Sequence, residues 1–254
     1  MLLHFNAHEQ QRIEEFRNHP LLLSFPSLPW AELLAVLLQR RHLSLAIVNV
    51  YEWVIDALDR EAIRATVRQI LHEEFPRNTR GVPLASHREW LYRDLLHLGA
   101  SREQILTTAE SPITREVREG SIQQLQRAFA EGPTDLALIT FLRFWAEVLV
   151  AVEYECFWPR LSERLSNGTD GTGPKSEFFY YHMIHDRRQS DVGEEQLLGG
   201  LTHSQALAQH IGGLILEEQD LASALRQVDA AASLKRRFYD QFLPQPGAAV
   251  QPNR

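Results

Sequence analysis

The chain is organised around the stretch FFYYHMIHDRRQSDVGEEQ, residues 178–196. No Gly or Pro interrupts this stretch before Gly193, so its composition predicts a helix. At about 100° per residue, one face of that helix carries four side chains that could bind a metal: His182, His185, Asp186 and Gln189. A histidine and a carboxylate four residues apart can hold one cation, because they project from neighbouring points of the helix surface. On this pattern alone an ordinary surface helix is the more common explanation, and a metal-binding helix is the alternative that matching carboxylates on other helices would support.

Composition narrows the class of protein. With 254 residues, of which 44% are apolar, the chain can bury a sizeable core. The net charge of −7 argues against nucleic-acid binding, which needs clustered Lys and Arg. The single cysteine, Cys156, excludes an internal disulfide framework and fits a reducing compartment. The N-terminus lacks the features of a secretion signal, and no run of 18 apolar residues suggests a membrane span. We therefore expect a cytoplasmic protein with neither a nucleic-acid nor a membrane partner, and a homodimer stays open as its oligomeric state.

Apolar periodicity predicts an all-α fold. A long core helix runs from just after Pro29 to about Leu58, and a last long helix runs from Thr202 to Phe242. Ser86 is predicted to cap a helix that starts at His87, because Ser is a favoured N-cap residue. We find no alternating strand pattern and no internal repeat. The prediction is one helical domain over residues 1–243, a bundle of seven or eight helices, followed by a disordered tail at 244–254.

Carboxylates elsewhere in the chain could meet these histidines. Glu73 and Glu74 end a predicted helix, and His87 follows after a loop. Glu153 and Glu155 lie inside the apolar run WAEVLVAVEYECFWPRL. At ideal helical spacing Glu155 shares the apolar face with Trp145, Val148 and Val152, and Glu153 lies on its flank. Because an ionised carboxylate is costly to bury unless it is paired or binds a metal, the run indicates either a metal site or a buried salt bridge to Arg143 or Arg93.

Several short motifs, in this order, resemble one family. HPLLLSF and LLQRRHLSLAIVNVYEWV resemble its opening helices, and HREWLYRDLLHLGAS resembles a later segment. YECFWPRL, residues 154–161, resembles the segment around the family's middle Glu, and FFYYHMIHD resembles its last ligand helix. The family is that of the heme-oxygenase-like diiron oxidases and oxygenases, which includes CADD-like proteins and shares its helical fold with the TenA and PqqC proteins. The resemblance covers most of residues 19–195.

The resemblance implies a set of iron ligands: Glu73, His87, Glu155, His182 and Asp186, with Glu74 and Glu153 as alternates for the first and third. The family pattern continues as H-x-x-x-D-x-x-H, but this chain has Gln189 where the last His should stand. An amide oxygen is a weaker ligand than imidazole for ferrous iron. His185 lies about 40° from Gln189 on the same face and is the candidate replacement.

The resemblance also implies an activity. Members of the family use ferrous iron and O₂ to oxidise small amino-acid-like or fatty-acid substrates. For this chain the resemblance implies two Fe(II) ions and O₂ acting on a small amino-acid-like or carboxylate-bearing metabolite in a biosynthetic pathway. Candidate pocket residues are the aromatic side chains of Trp145, Phe179 and Tyr181. A basic residue could form paired hydrogen bonds with a substrate carboxylate, and the candidates for this role are Arg41, Arg93 and Arg143.

Two other functions fit the same fold. The first is a metal-poor or mononuclear binding or scaffold protein, whose acids and histidines are closed up by hydrogen bonds and salt bridges; the Gln at position 189 supports it. The second is a TenA-like hydrolase with Cys156 as nucleophile. A lone cysteine on an apolar helix without an activating base is more often a small core residue.

Overall fold

The computed structural model describes residues 1–132, 134–169, 173–188 and 201–244. These residues confirm the all-α prediction: they form helices joined by short connections, and the described part of the chain contains no β-strand. The helices are α1 (Leu2–Arg17), α2 (Pro20–Ser24), α3 (Trp30–Ala57), α4 (Glu61–Glu73), α5 (His87–His97), α6 (Arg102–Thr107), α7 (Pro112–Glu131), α8 (Thr134–Leu142), α9 (Leu149–Leu161), α10 (Phe179–His185), α11 (His203–Leu214) and α12 (Glu218–Asp240). Gln189 and residues 245–254 of the predicted tail lie outside the described residues.

The centre of the bundle is the rod formed by α8 and α9. A π-helical segment, Arg143–Val148, joins these two helices without a break. Every side chain of the rod from residue 135 to residue 154 is buried, since α12 and α11 pack on its first half and α10 and α1 on its second. Helix α3 packs against α4, α7 and α8. The buried apolar side chains form one continuous core.

Helix α3 is the candidate membrane span within the described residues, by length and composition alone. Its buried residues include Leu33, Leu37, Val50 and Val54, which belong to the bundle core. A central helix of a bundle is expected to be long and apolar for this reason.

Side-chain caps fix where the helices around the site begin. Ser86 accepts a hydrogen bond from the backbone N–H of Glu89, and the Glu89 carboxylate accepts one from the N–H of Ser86, so α5 starts at His87 as predicted. Thr202 and Gln205 form the same reciprocal pair at the start of α11. The two caps hold His87 and His203 at the first residue of their helices.

The structure differs from the sequence prediction at two helices. The helix predicted for residues 178–196 ends at His185, and the chain then turns so that Arg187 and Arg188 reach Glu155 and Glu9. The last helix is divided into α11 and α12. The Asp220 carboxylate accepts hydrogen bonds from the backbone N–H groups of Leu216 and Glu217, and so starts a new helix there.

Candidate metal centre

Five structural elements supply potential metal ligands to one region of the bundle. Glu73 and Glu74 lie at the C-terminus of α4, and His87 lies at the N-terminus of α5. The remaining side chains come from the π-helical segment (Glu147), from the end of α10 (His182, His185 and Asp186) and from the start of α11 (His203). Carboxylates and imidazoles from distant parts of the sequence therefore meet at one place.

The first ligand group consists of Glu74, His87 and His182, whose candidate ligand atoms all lie within 4.8 Å of one another. Glu74 Oε1 lies 3.3 Å from His87 Nδ1. The Nδ1 of His182 lies 2.8 Å from the backbone oxygen of Phe178. Because a carbonyl only accepts, this nitrogen must carry the proton, which leaves the Nε2 lone pair of His182 free to bind a metal.

The electrostatic surroundings keep His182 in the form that binds metals. Burial lowers the pKa of His182 well below its ordinary value, and the neighbouring His87 lowers it further. A neutral imidazole is the form that coordinates a cation.

The second ligand group consists of Glu147, Asp186 and His203. The Nδ1 of His203 lies 3.2 Å from Glu147 Oε2 and 3.5 Å from Asp186 Oδ1. On the other side of the ring, Nε2 lies 3.1 Å from Glu73 Oε2. Glu73 in turn lies 3.5 Å from His185 Nε2, so these two residues extend the second group.

Negative charge is in excess at the second group. Three carboxylates contact the imidazole of His203, one of them, Glu73, also contacts His185, and within the described residues none of the three forms an ion pair with Arg or Lys. Burial raises the pKa of Asp186 well above its ordinary value, and Glu147 raises it further. Burial lowers the pKa of His203, but the carboxylates outweigh burial and raise that pKa overall. A divalent cation would supply the missing positive charge.

The hydrogen bonding also fits a metal. Among the described residues, three buried ligand atoms lack a hydrogen-bond partner of good geometry: His87 Nδ1, Asp186 Oδ1 and His203 Nε2. Tyr51 donates a hydrogen bond to Glu147, and Tyr181 donates one to Glu73 Oε2 at 3.2 Å, as outer partners that orient metal ligands do. Carboxylates and imidazoles together suit iron. The residues present therefore fit a metal centre, and their donor types are consistent with iron.

A cavity with about 540 Å³ of empty space adjoins both groups. Glu74 and His182 of the first group and Glu147, Asp186 and His203 of the second line its wall. The rest of the wall is largely apolar, apart from two buried cations, Arg40 and Lys235.

Asp94 fixes the position of α10. This fully buried carboxylate accepts hydrogen bonds from the Ser176 hydroxyl at 2.6 Å and from the backbone N–H groups of Phe178 and Phe179 at 3.0 and 3.2 Å. These N–H groups at the start of α10 have no partner within the helix. Helix α5 therefore carries His87 and also anchors the helix that carries His182.

The structure brings together six of the residues that the sequence singled out: Glu73, Glu74, His87, His182, His185 and Asp186. Glu155 is not among them. It is half-buried, and its carboxylate lies 2.9 Å from Arg17 and 3.3 Å from Arg187, away from both ligand groups.

Glu153 forms the buried salt bridge that the sequence offered as the alternative to a metal site. Its partners are Arg40 and Lys235, each at 2.8 Å, and not Arg143 or Arg93. Arg143 pairs with Glu9 and donates to the backbone oxygen of Ser204, and Arg93 pairs with Glu177.

Only some of the residues that the sequence predicted for the pocket lie at the cavity. Trp145 lines the cavity. Tyr181 lies beside the ligand groups through its bond to Glu73, and Phe179 packs edge-on against Tyr154. None of the three predicted arginines, Arg41, Arg93 and Arg143, lines the cavity.

Sequence reasoning did not find Glu147 or His203. Glu147 lies in the same apolar run as Glu153 and Glu155, so its buried acid was a usable signal. His203 follows a capping Thr in a helix of ordinary composition, and nothing in the local sequence marks it as a ligand.

Cys156 does not suit a nucleophile. Burial raises the pKa of its thiol to about 11, so the unreactive protonated form prevails at neutral pH. Cys156 also does not line the cavity.

The bundle and its gathered carboxylates and imidazoles define an all-α protein with a candidate metal centre. A solved structure of the same fold is that of a CADD-like protein of unknown function from Nostoc punctiforme. It aligns with a TM-score of 0.65 over 94% of this chain and 97% of that chain, at 12% sequence identity. This confirms the resemblance to CADD-like proteins at the level of the fold. No protein-family model matches the sequence, and no curated protein matches it.

Proposed function

We propose that the protein binds two ferrous ions and uses dioxygen to oxidise a small carboxylate-bearing metabolite. The observation that supports this proposal is the pair of ligand groups on one cavity wall, each with carboxylate and imidazole donors. Iron in such a ligand set supplies the oxidising power of dioxygen to a substrate bound beside it.

The protein's own residues orient the proposed metal ligands and exclude water from the cavity. In the first group, the Phe178 carbonyl fixes the tautomer of His182. The Ser86 cap at the start of α5 holds His87 in position, and the hydrogen bonds of Asp94 to the start of α10 hold the helix that carries His182. In the second group, Tyr51 orients Glu147. Leu43, Ile47, Val150 and Phe178 contribute apolar wall, which excludes water from the reacting atoms.

A metal-free binding protein on the same fold is the second candidate. The contacts of His203 with Glu73, Glu147 and Asp186 at 3.1–3.5 Å support it, because a protonated imidazole can partly neutralise the carboxylates without a metal.

Anaerobic titration with Fe(II), followed by metal analysis, separates the two candidates. We expect about two ions per chain in the unaltered protein, and about one in His87→Ala and in Glu147→Ala, since each variant damages one group. Glu155→Gln is the matched control, because it alters a carboxylate outside both groups, and it should still bind about two ions.

Oxygen uptake tests the oxidase part of the proposal. The iron-loaded protein and Glu155→Gln should consume dioxygen on exposure to air, whereas His87→Ala and Glu147→Ala should consume much less. If no iron binds, the metal-free alternative is supported instead. If iron binds without oxygen uptake, the protein is a metal-binding protein and the oxidase proposal fails.

A further inference from the structure

The cavity wall carries two buried cations around one carboxylate, outside the ligand groups. Glu153, fully buried, accepts a hydrogen bond from Arg40 Nε at Oε2 and from the Lys235 ammonium at Oε1, each at 2.8 Å. Arg40 is 4% exposed and Lys235 is 1% exposed. Arg40 and Lys235 line the cavity, and Glu153 lies behind them.

The charges of this cluster do not cancel. Arg40 and Lys235 share a single carboxylate, and neither forms another ion pair within the described residues. Burying a charge without its own counterion costs free energy that replacement by an apolar side chain would avoid. Burial lowers the pKa of Lys235 to about 7; the charge of Arg40 also lowers it, whereas the charge and the hydrogen bond of Glu153 raise it. Because Lys235 loses its proton readily at this pKa, an anion bound beside it would stabilise the charged form of Lys235.

Hydrogen-bond donors are also unused. An ammonium has three N–H donors, and the only acceptor that Lys235 contacts in the described part of the chain is Glu153. The Lys235 ammonium nitrogen lies over the Trp145 ring, 5.3 Å from the ring centre, and Trp145 also lines the cavity. Its indole Nε1 is buried and has no hydrogen-bond partner among the described residues.

The presence of a lysine at position 235, and not an arginine, also supports the binding of an anion there. Among the 26 basic residues of the chain only two are lysines, Lys175 and Lys235. Lys175 is exposed in a loop, while Lys235 is buried at the cavity. A lysine presents its charge as a compact point with rotatable donors, whereas an arginine would need a wider planar space.

We propose that Arg40, Lys235 and Trp145 form an anion subsite that binds the single carboxylate of the substrate, and that the apolar body of the substrate extends from there along the cavity toward the ligand groups. The inference rests on the proposed function for the reaction, but the binding of the carboxylate depends on residues outside the metal centre.

The surroundings select against an α-amino acid. An ammonium group would need a carboxylate partner, yet Glu153 is occupied by two cations and the other acids of the cavity wall, Glu74, Glu147 and Asp186, belong to the ligand groups. The apolar wall fits an alkyl or aryl chain. The subsite thus narrows the expected substrate to an apolar monocarboxylate.

Calorimetric binding of octanoate and octanamide to the full-length chain, with and without iron, tests the subsite. The two probes have the same chain and differ in charge. The unaltered protein should bind octanoate at least about tenfold more tightly than octanamide, which corresponds to one modest charge interaction. 2-Aminooctanoate should bind more weakly than octanoate.

Lys235→Met should abolish the preference for octanoate, and Lys175→Met, the matched control, should keep it. Lys235→Met leaves Arg40 and Glu153 as a balanced pair, so its melting temperature should be unchanged or higher, which distinguishes a lost subsite from a misfolded protein. The inference is overturned if octanoate does not bind, if octanamide binds equally well, or if Lys235→Met keeps the preference. If the preference persists in a protein that binds no iron, the proposed oxidase fails while the subsite stands.

Discussion

At the scale of the residue, His203 joins the parts of the second ligand group. Its ring contacts Glu147 and Asp186 through Nδ1 and Glu73 through Nε2. The ring is therefore both a ligand candidate and, among the described residues, the one imidazole that contacts all three of these acids. Removing it should affect iron binding more than the loss of one donor atom would.

We expect His203→Ala to lower the iron content from about two to about one ion per chain, because the second group loses its central imidazole. Metal analysis after anaerobic loading gives the value. His210→Ala is the control, since His210 lies on the same helix and its ring contacts Thr66 instead. An unchanged content in His203→Ala would remove His203 from the centre.

This chain has Gln189 where the resembled family's pattern has a ligand histidine, and this difference allows a second comparison. His185 contacts Glu73 at the second group, so if it completes the site, His185→Ala should lower the iron content toward one ion per chain while Gln189→Ala changes it little. The reverse result would identify Gln189 as the ligand.

At the scale of the element, the π-helical segment explains why Glu155 faces away. Periodicity at 3.6 residues per turn placed Glu155 on the apolar face with Trp145. A π-helical turn takes in one more residue than an α-turn, and that residue rotates everything after it by about 100°. Glu147, inside the segment, lines the cavity, and Glu155, which follows the segment, lies beside Arg17. The local sequence contains no Pro or Gly that would mark such a turn.

Elsewhere the sequence predicted more of the structure. The cap at Ser86 and the core helix α3 follow from side-chain chemistry and apolar spacing, which act locally. The early end of α10 and the break before α12 depend instead on contacts with other parts of the chain or on a cap within an otherwise helical pattern. Such effects override local propensity.

Asp94 is the residue on which the position of α10 depends. Asp94→Ala should lower the free energy of unfolding by about 2 kcal/mol, because it leaves several buried N–H groups without an acceptor, and the melting temperature should fall by roughly 4–8 °C. Since α10 carries His182 and Asp186, the iron content should fall as well.

Asp135→Ala is the control for this variant. Asp135 is also buried and accepts hydrogen bonds from the backbone N–H groups of Asp59 and Arg60, at the opposite end of α4 from Glu73. Asp135→Ala should lower the free energy of unfolding but leave the iron content per chain unchanged. Equal iron loss in both variants would show that general destabilisation, and not the position of α10, controls iron binding.

At the scale of the whole molecule, the fold gathers into one cavity residues that are far apart in sequence. The ligand groups draw on α4, α5, the π-helical segment, α10 and α11, and the anion subsite draws on α3, the π-helical segment and α12. The order of the motifs was enough to predict this bundle. The charge balance of the cavity was not predictable, because it depends on which of the acids in one helix, Glu147, Glu153 or Glu155, faces inward.

Crystallography of the anaerobically iron-loaded protein, with anomalous diffraction at the iron absorption edge, tests the central claim most directly. We predict two anomalous peaks, one among Glu74, His87 and His182 and one among Glu147, Asp186 and His203. No peak at either group, or a peak beside Glu155, would contradict the proposed centre.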